Sequence, residues 1–238
     1  MNRVSFAIKT FERPECLDRL LGSLRDYYPD VPVLVADDSR QPRTDLSAYG
    51  NVRVLPMAFD SGMSAGRNLM LDCASTPLVL LMDDDFVFTQ GTQVERLIEA
   101  LDGGPYDLVS GFLKIEEDGR EQHYEGFMTT DADGLVLWRV EAHNEPIPCE
   151  IVLNFFLARV EPLRAIRWYE PLKICEHEEF FWRAKQAGLR VGFHPQVWAL
   201  HARGRPGDYN RFRNHRINDM RNAALERHGW KGIRWQAV

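Results

Sequence analysis

The chain is expected to fold as α/β, with a mostly parallel central sheet flanked by helices on both faces. Three observations carry that expectation. Short apolar runs alternate with helical patterns in β-α-β-α-β order up to about residue 102. One of these runs, residues 77–82, leads straight into Asp83-Asp84-Asp85, as a strand buried on both faces of a parallel sheet does at its carboxyl end. Beyond residue 108 the pattern changes to extended stretches separated by Asp118-Gly119 and Asp133-Gly134, pairs that favour hairpin turns.

Each element has a local reason. Val4 to Ile8 is a first apolar strand. Pro14 suits the first turn of a helix, and Leu17, Leu20, Leu21 and Leu24 then recur at helical spacing until Pro29 and Pro32 close it. Val33 to Ala36 is a second strand, tipped by Asp37-Asp38-Ser39, and Val52 to Leu55 is a third. A small-residue loop, Ser61 to Asn68, opens a helix running through Cys73. After the acidic strand, Thr92 and Glu95 form a capping box for a helix carrying Val94, Leu97, Ile98 and Leu101 on one face. Residues 108–115, 121–128 and 135–140 read as an antiparallel meander, and Ile151 to Ala158 as a further strand. Glu178 to Ala187 is helical and stops at Gly188. Two short strands follow, Val191 to Phe193 and Val197 to Leu200, the latter ending at His201. A last helix spans about Asp208 to His228.

The length of 238 residues, with 45% hydrophobic and 27% charged content, fits one soluble domain of ordinary size. A net charge of -6 argues against nucleic acid as the main partner. No signal peptide is read, and no apolar run approaches the ~18 residues of a membrane span. Four scattered cysteines without a C-x-x-C pair read as reduced thiols, and the expected location is cytoplasmic. Charge is unevenly placed: from Arg203 onward nine basic residues face three acids.

Several motifs have two readings. Three adjacent carboxylates repel unless a cation or donors compensate, so Asp83 to Asp85 suit a divalent metal and a phosphate ligand; they also suit a solvated acidic loop capping a helix. Asp38 suits the imide N–H of a uracil, or an Asx turn. Arg67 at a helix start suits an anion, or a surface acid. Glu176-His177-Glu178-Glu179 offers a general base, or acids complementing a helix dipole. His201 is a metal ligand or a structural histidine. Neither G-x-x-x-x-G-K-[ST] nor G-x-G-x-x-G occurs, which speaks against P-loop and dinucleotide folds.

Taken together, Lys9-Thr10-Phe11-Glu12-Arg13, Asp37-Asp38-Ser39, Ser64-Ala65-Gly66-Arg67-Asn68, the D-x-D triplet Asp83 to Asp85 and the acidic helix start near residue 178 resemble the GT-A nucleotide-sugar glycosyltransferases of family 2. A nearer resemblance is to catalytic domains of the GM2 synthase type of β-1,4-N-acetylgalactosaminyltransferase. It rests further on Phe86-Val87-Phe88, Asn154-Phe155-Phe156-Leu157-Ala158-Arg159, and His177 with Glu179-Phe180-Phe181, and covers residues 3 to about 203.

The resemblance implies an inverting, metal-dependent enzyme that moves a sugar, of the N-acetylhexosamine kind by family expectation, from a UDP-sugar to a glycan or glycolipid hydroxyl. It implies that Thr10 and Glu12 line the uridine pocket, Asp38 bonds the uracil, Arg67 contacts the nucleotide and Asp83 reaches ribose or metal. Asp84 is the weaker candidate ligand, and Asp85 with His201 would hold Mn²⁺ or Mg²⁺. The base position of the family falls on His177, with Glu178 as the chemical alternative and Glu176 a third. On this reading residues 1–102 are the nucleotide half, 103–203 the acceptor half and 204–238 a basic helical appendage. Three readings of that appendage are open: Arg203, Arg205 and Arg211 as a lid over the diphosphate, a peripheral contact with the inner face of a membrane, or a helix packed on the body. A sugar-phosphate nucleotidylyltransferase and a non-catalytic nucleotide-sugar-binding module are the alternative function classes.

Overall fold

The computed structural model describes residues 1–140, 144–204 and 208–236, and for 208–211 and 213 the backbone alone. The first half runs β1 (Val4–Thr10), α1 (Pro14–Tyr27), β2 (Val33–Asp37), a 3-10 turn (Ser47–Tyr49), β3 (Val52–Pro56), α2 (Met63–Cys73), β4 (Leu78–Asp83), β5 (Phe86–Val87) and α3 (Val94–Gly103). The second runs β6 (Leu108–Ile115), β7 (Glu121–Gln122), β8 (Gly126–Asp131), β9 (Gly134–Arg139), β10 (Ile147–Cys149), β11 (Phe155–Arg159), α4 (Val160–Ile166), α5 (His177–Gln186), β12 (Val191–His201), α6 (Asp208–His228) and β13 (Gly232–Gln236).

The main sheet has the order β10-β12-β6-β11-β4-β1-β2-β3. β1 to β4 pair in parallel, and β11 runs antiparallel between β4 and β6. After β3 the chain crosses to the other side of β1 to lay down β4. Strand order therefore reverses beside β1, where an open sheet leaves a crevice at its carboxyl ends. Register aligns the tips: Thr10 lies opposite Asp37, and Lys9 opposite Asp83.

Strand periodicity divides the apolar residues between two cores. Phe6, Ile8, Leu78, Leu80 and Met82 pack with Leu17, Leu20, Leu21 and Leu24 of α1 and Leu97 and Leu101 of α3. The alternate residues Ala7, Val79 and Leu81 pack on the other face with Met70 and Leu71 of α2, Leu163 of α4, and Phe180 and Phe181 of α5. With both faces covered, β1 is buried along its whole length, which explains its unbroken apolar pattern.

The expected α/β architecture is present, with four local differences. The meander is split: β6 belongs to the main sheet with β7 at its end, while β8 and β9 form a hairpin in a second sheet. The two short strands before His201 are one strand, β12, irregular between Phe193 and Trp198. A Cβ on Gly111 of β6 would stand 2.3 Å from the Val197 carbonyl oxygen, so the irregularity closes onto a residue without a side chain. The capping box is not made, because both its side chains have tertiary partners. Thr92 donates to the Trp198 carbonyl (2.9 Å), and Glu95 accepts from the Tyr28 hydroxyl (2.9 Å). Finally, α6 occupies its expected span but is followed by β13, which joins β9 in parallel.

Of the tail's cations, Arg216 pairs with Asp60, Arg227 with Glu179, Lys231 with Asp133 and Arg234 with Asp131. The basic segment thus faces acids of the body. Arg203 is exposed, whereas Arg205 and the Arg211 side chain lie outside the described residues. Among the described residues no helix is long and apolar enough to cross a membrane.

Candidate active site

Thr10, Asp37-Asp38 and the triplet Asp83 to Asp85 meet at the crevice beside β1, and each carboxylate there has a partner. Asp37 accepts from the backbone of Ser39 and Arg43 (2.9 Å each), bending the loop that follows β2. That loop, Thr10, Glu12 and Asp37 line a cavity of about 310 Å³. Glu12 holds a left-handed backbone (φ 53°), fixed by its N–H on Ser39 Oγ (2.7 Å) and by its carboxylate, which accepts from the Arg40 N–H (2.5 Å). Backbone strain of this kind tends to collect at ligand sites. Asp38 is buried, paired with Lys9, and accepts from the Gly62 N–H (2.7 Å). The cavity is lined by its neighbours Asp37 and Ser39 rather than by Asp38 itself. Gly62 has φ +96°, and a Cβ there would stand 2.6 Å from Lys173 Cα, so this donor to Asp38 has to be glycine.

Arg67 is 1% exposed. Its guanidinium meets Glu176 at 2.5 Å and Asp83 at 3.4 Å, and lies over the Trp168 ring. The next residue, Asn68, exchanges hydrogen bonds with the Trp168 backbone (2.9 Å each way), and Trp168 stacks on Phe180. The Arg67-Asn68 pair therefore fastens the 168–176 segment to the strand tips.

Asp84 is fully buried between the Thr10 hydroxyl (2.7 Å) and the Arg13 guanidinium. Burial pushes its carboxyl up to about 7 against the pull of Arg13. Asp85 is also pushed up by burial. The His201 contact and Arg13, at 2.7 Å, outweigh that and hold it down to about 2. Burial raises Asp83 as well, against Arg67.

His201 reaches this group because β5 pairs with the end of β12, setting His201 opposite Phe86, and because the Ala202 N–H donates to the Asp85 carbonyl (2.9 Å). His201 Nε2 lies 3.4 Å from Asp85 Oδ2, and Nδ1 lies 3.1 Å from Gln122 Oε1. With Nδ1 on Gln122, Nε2 is the ring nitrogen that faces the carboxylate, and a cation between the two would take the place of a proton there. Two ligands of one ion with bonds of about 2.1 Å stand roughly 3.0–3.4 Å apart. The pair therefore fits a shared divalent ion. Among the described residues no set of three His, Cys, Asp or Glu side chains does so, which leaves most of the coordination sphere to other ligands.

The acidic start of α5 sorts its three candidates. Glu176 is taken by Arg67. His177 packs edge-on against Tyr124 and Phe181, with Nδ1 3.0 Å from Asn154 Oδ1. Glu178 is half-buried and accepts from the Tyr124 hydroxyl. Glu179 is buried against Arg183 and Arg227 and anchors α6.

Burial lowers the His177 imidazole from its ordinary value of 6.5. As pH falls below that value the unfolded chain takes up a proton that the folded chain refuses, so this stabilisation is present above pH 6.5 and lost in acid. His177→Gln should flatten the fall in denaturation midpoint below pH 6.5. An unchanged slope would assign the acid sensitivity to another group.

Sequence reasoning gave no role to Lys9, Arg13, Gln122 or Tyr124. A signal was present for the first two, since cations flanking the tip of an apolar strand imply nearby acids. Gln122 and Tyr124 carry none, because their value depends on the segment 121–125 crossing the cleft between His201 and Glu178. Beside that segment Arg120, Gln122, His123, Arg139 and Arg203 line a second cavity of about 280 Å³.

Residues 5–151 match the sequence profile of Glycosyl transferase family 2. The chain is 37% identical over 210 residues to human beta-1,4 N-acetylgalactosaminyltransferase 1, covering 84% of this chain and 39% of that protein. It is 37% identical over 187 residues to mouse beta-1,4 N-acetylgalactosaminyltransferase 2, covering 76% and 36%. The chain thus spans under two fifths of those relatives' lengths. Among solved structures, S. aureus TarS 1-349 in complex with UDP-GlcNAc superposes with a TM-score of 0.63 at 19% identity, over 86% of this chain and 60% of that one. The same protein in complex with UDP gives 0.61 at 19% identity, over 83% and 60%. At such identities the likeness is one of fold, the GT-A type. From the profile match and the curated relatives, this chain belongs to glycosyl transferase family 2.

Proposed function

We propose that this chain transfers a sugar from a UDP-sugar to a hydroxyl of a glycan or glycolipid, with inversion and with Mn²⁺ or Mg²⁺ as cofactor. The observation that carries the reading is the meeting of Asp85 and His201, 3.4 Å apart, at the mouth of the crevice beside β1. Carboxylate and water suit either hard ion, and the imidazole favours Mn²⁺. The nucleoside would enter the cavity lined by Thr10, Glu12 and Ser39. Bound there, the ion would neutralise charge developing on the departing diphosphate.

Glu178 is the base that this geometry favours. It is half-buried and oriented by Tyr124 of the 121–125 segment, while Glu176 is committed to Arg67. Its carboxylate takes the proton of the acceptor hydroxyl as that oxygen bonds to the anomeric carbon, on the face opposite the breaking bond to UDP. The reading of the donor as a UDP-sugar is supported by TarS, whose structures hold UDP and UDP-GlcNAc. An N-acetylhexosamine is supported by the names of the curated relatives. The acceptor would approach along residues 121–125, where Arg120, Arg139 and Arg203, opposed by Glu121, favour a negatively charged molecule.

Calorimetric titration with UDP tests the reading. UDP should bind at least about tenfold more tightly with Mn²⁺ than with a chelator, and Asp85→Asn should remove that difference. Equal affinity in both conditions would overturn the metal assignment. A hydrolysis screen across UDP-sugars would then identify the donor.

A further inference from the structure

Arg13 immediately precedes α1 and makes no side-chain cap to it. Its guanidinium turns instead onto the acidic triplet, with one nitrogen on Asp85 Oδ2 at 2.7 Å and the other on Asp84. The oxygen it holds is the one that faces His201 Nε2. The arrangement is enclosed: the Arg13 side chain is 14% exposed, Asp85 12% and Asp84 0%. Asp84 is further fixed by the Thr10 hydroxyl. The chain therefore supplies its own cation at the place where the functional reading requires a metal. An ion seated between Asp85 and His201 would compete with Arg13 for one oxygen and would stand against its fixed positive charge. A planar guanidinium also suits phosphate oxygens as well as it suits a carboxylate.

We propose that Arg13 keeps the bare cation out and exchanges partners on loading: its guanidinium leaves Asp85 for the donor's diphosphate, which frees Asp85 Oδ2 for the ion. Cation and nucleotide then enter together, and neither is held well alone. The two-residue ligand set is consistent with this, because most of the ion's oxygens must arrive with the nucleotide. The proposal rests on Asp85 and His201 being metal ligands.

The test is Mn²⁺ binding followed by calorimetry and by electron paramagnetic resonance of the free ion, for the parent and for Arg13→Gln, with and without UDP. In the parent, UDP should tighten Mn²⁺ binding at least about tenfold. In the variant, Mn²⁺ alone should bind at least about tenfold more tightly than in the parent, while UDP at saturating Mn²⁺ binds about tenfold more weakly. These changes have opposite signs, whereas a role in packing alone would weaken both. Arg13→Lys, which keeps a charge near Asp84, serves if the glutamine variant does not fold, and should show the same signs to a smaller extent. If UDP tightens Mn²⁺ binding to the parent but neither variant binds bare Mn²⁺ more tightly, this proposal alone falls; if the parent binds Mn²⁺ equally well without UDP, the metal assignment falls too, because the two affinities are reciprocal. If no protein binds Mn²⁺ even with UDP, the metal assignment falls with it.

Discussion

Glu178→Gln should lower kcat by about 10²–10⁴-fold, the usual range for removing a general base, while UDP affinity in the presence of Mn²⁺ stays within about twofold. The substitution is nearly isosteric and keeps an oxygen for the Tyr124 hydroxyl to meet, so the fold and the donor cavity are preserved. What it removes is the ability to accept a proton from the acceptor. His177→Gln is the informative companion. His177 is enclosed by Tyr124 and Phe181, and burial lowers its imidazole, so its loss should cost less than about tenfold. Steady-state kinetics on both variants decides the matter. A large loss at His177 with near-normal turnover in Glu178→Gln would reverse the assignment.

Arg67→Ala should destabilise the fold by about 3–5 kcal/mol, the cost of breaking a buried ion pair from one side. The arginine is almost wholly buried, and its removal leaves Glu176 (5% exposed) charged without its partner, and Asp83 without its nearest cation. For a chain of this size the thermal midpoint would fall by on the order of 10 °C. Combining Arg67→Met with Glu176→Gln should recover much of the loss, because the stranded charge is gone. Denaturant titration of the single and double variants measures both effects. A variant as stable as the parent but with weakened UDP binding would instead make Arg67 a direct contact to the nucleotide.

The local half of the structure was legible in the sequence. Apolar runs too short for helices, each followed by a helical repeat, determined the parallel strands β1 to β4. Ending them in Asp37-Asp38 and Asp83 to Asp85 determined that charge collects at one edge of the sheet. Such patterns are readable because strand and helix periodicities are set within a few residues of each other. The span of α6 was readable for the same reason.

Which partner each carboxylate takes was decided only by tertiary structure. Glu176, His177 and Glu178 are adjacent candidate bases, with Glu176 the weakest by sequence, yet packing gives Glu176 to Arg67, sets His177 against Tyr124 and Phe181, and gives Glu178 the Tyr124 hydroxyl. The meander divided between two sheets because β6 found β11 and β12 as neighbours, and β13 joined β9 from the far end of the chain. His201 reached Asp85 only through the pairing of β5 with β12. Charge neutralisation and sheet pairing are contacts between residues distant in sequence, and they depend on which surfaces the folded chain brings together. The residues at the crevice were therefore set by the sequence, and their partners by the fold.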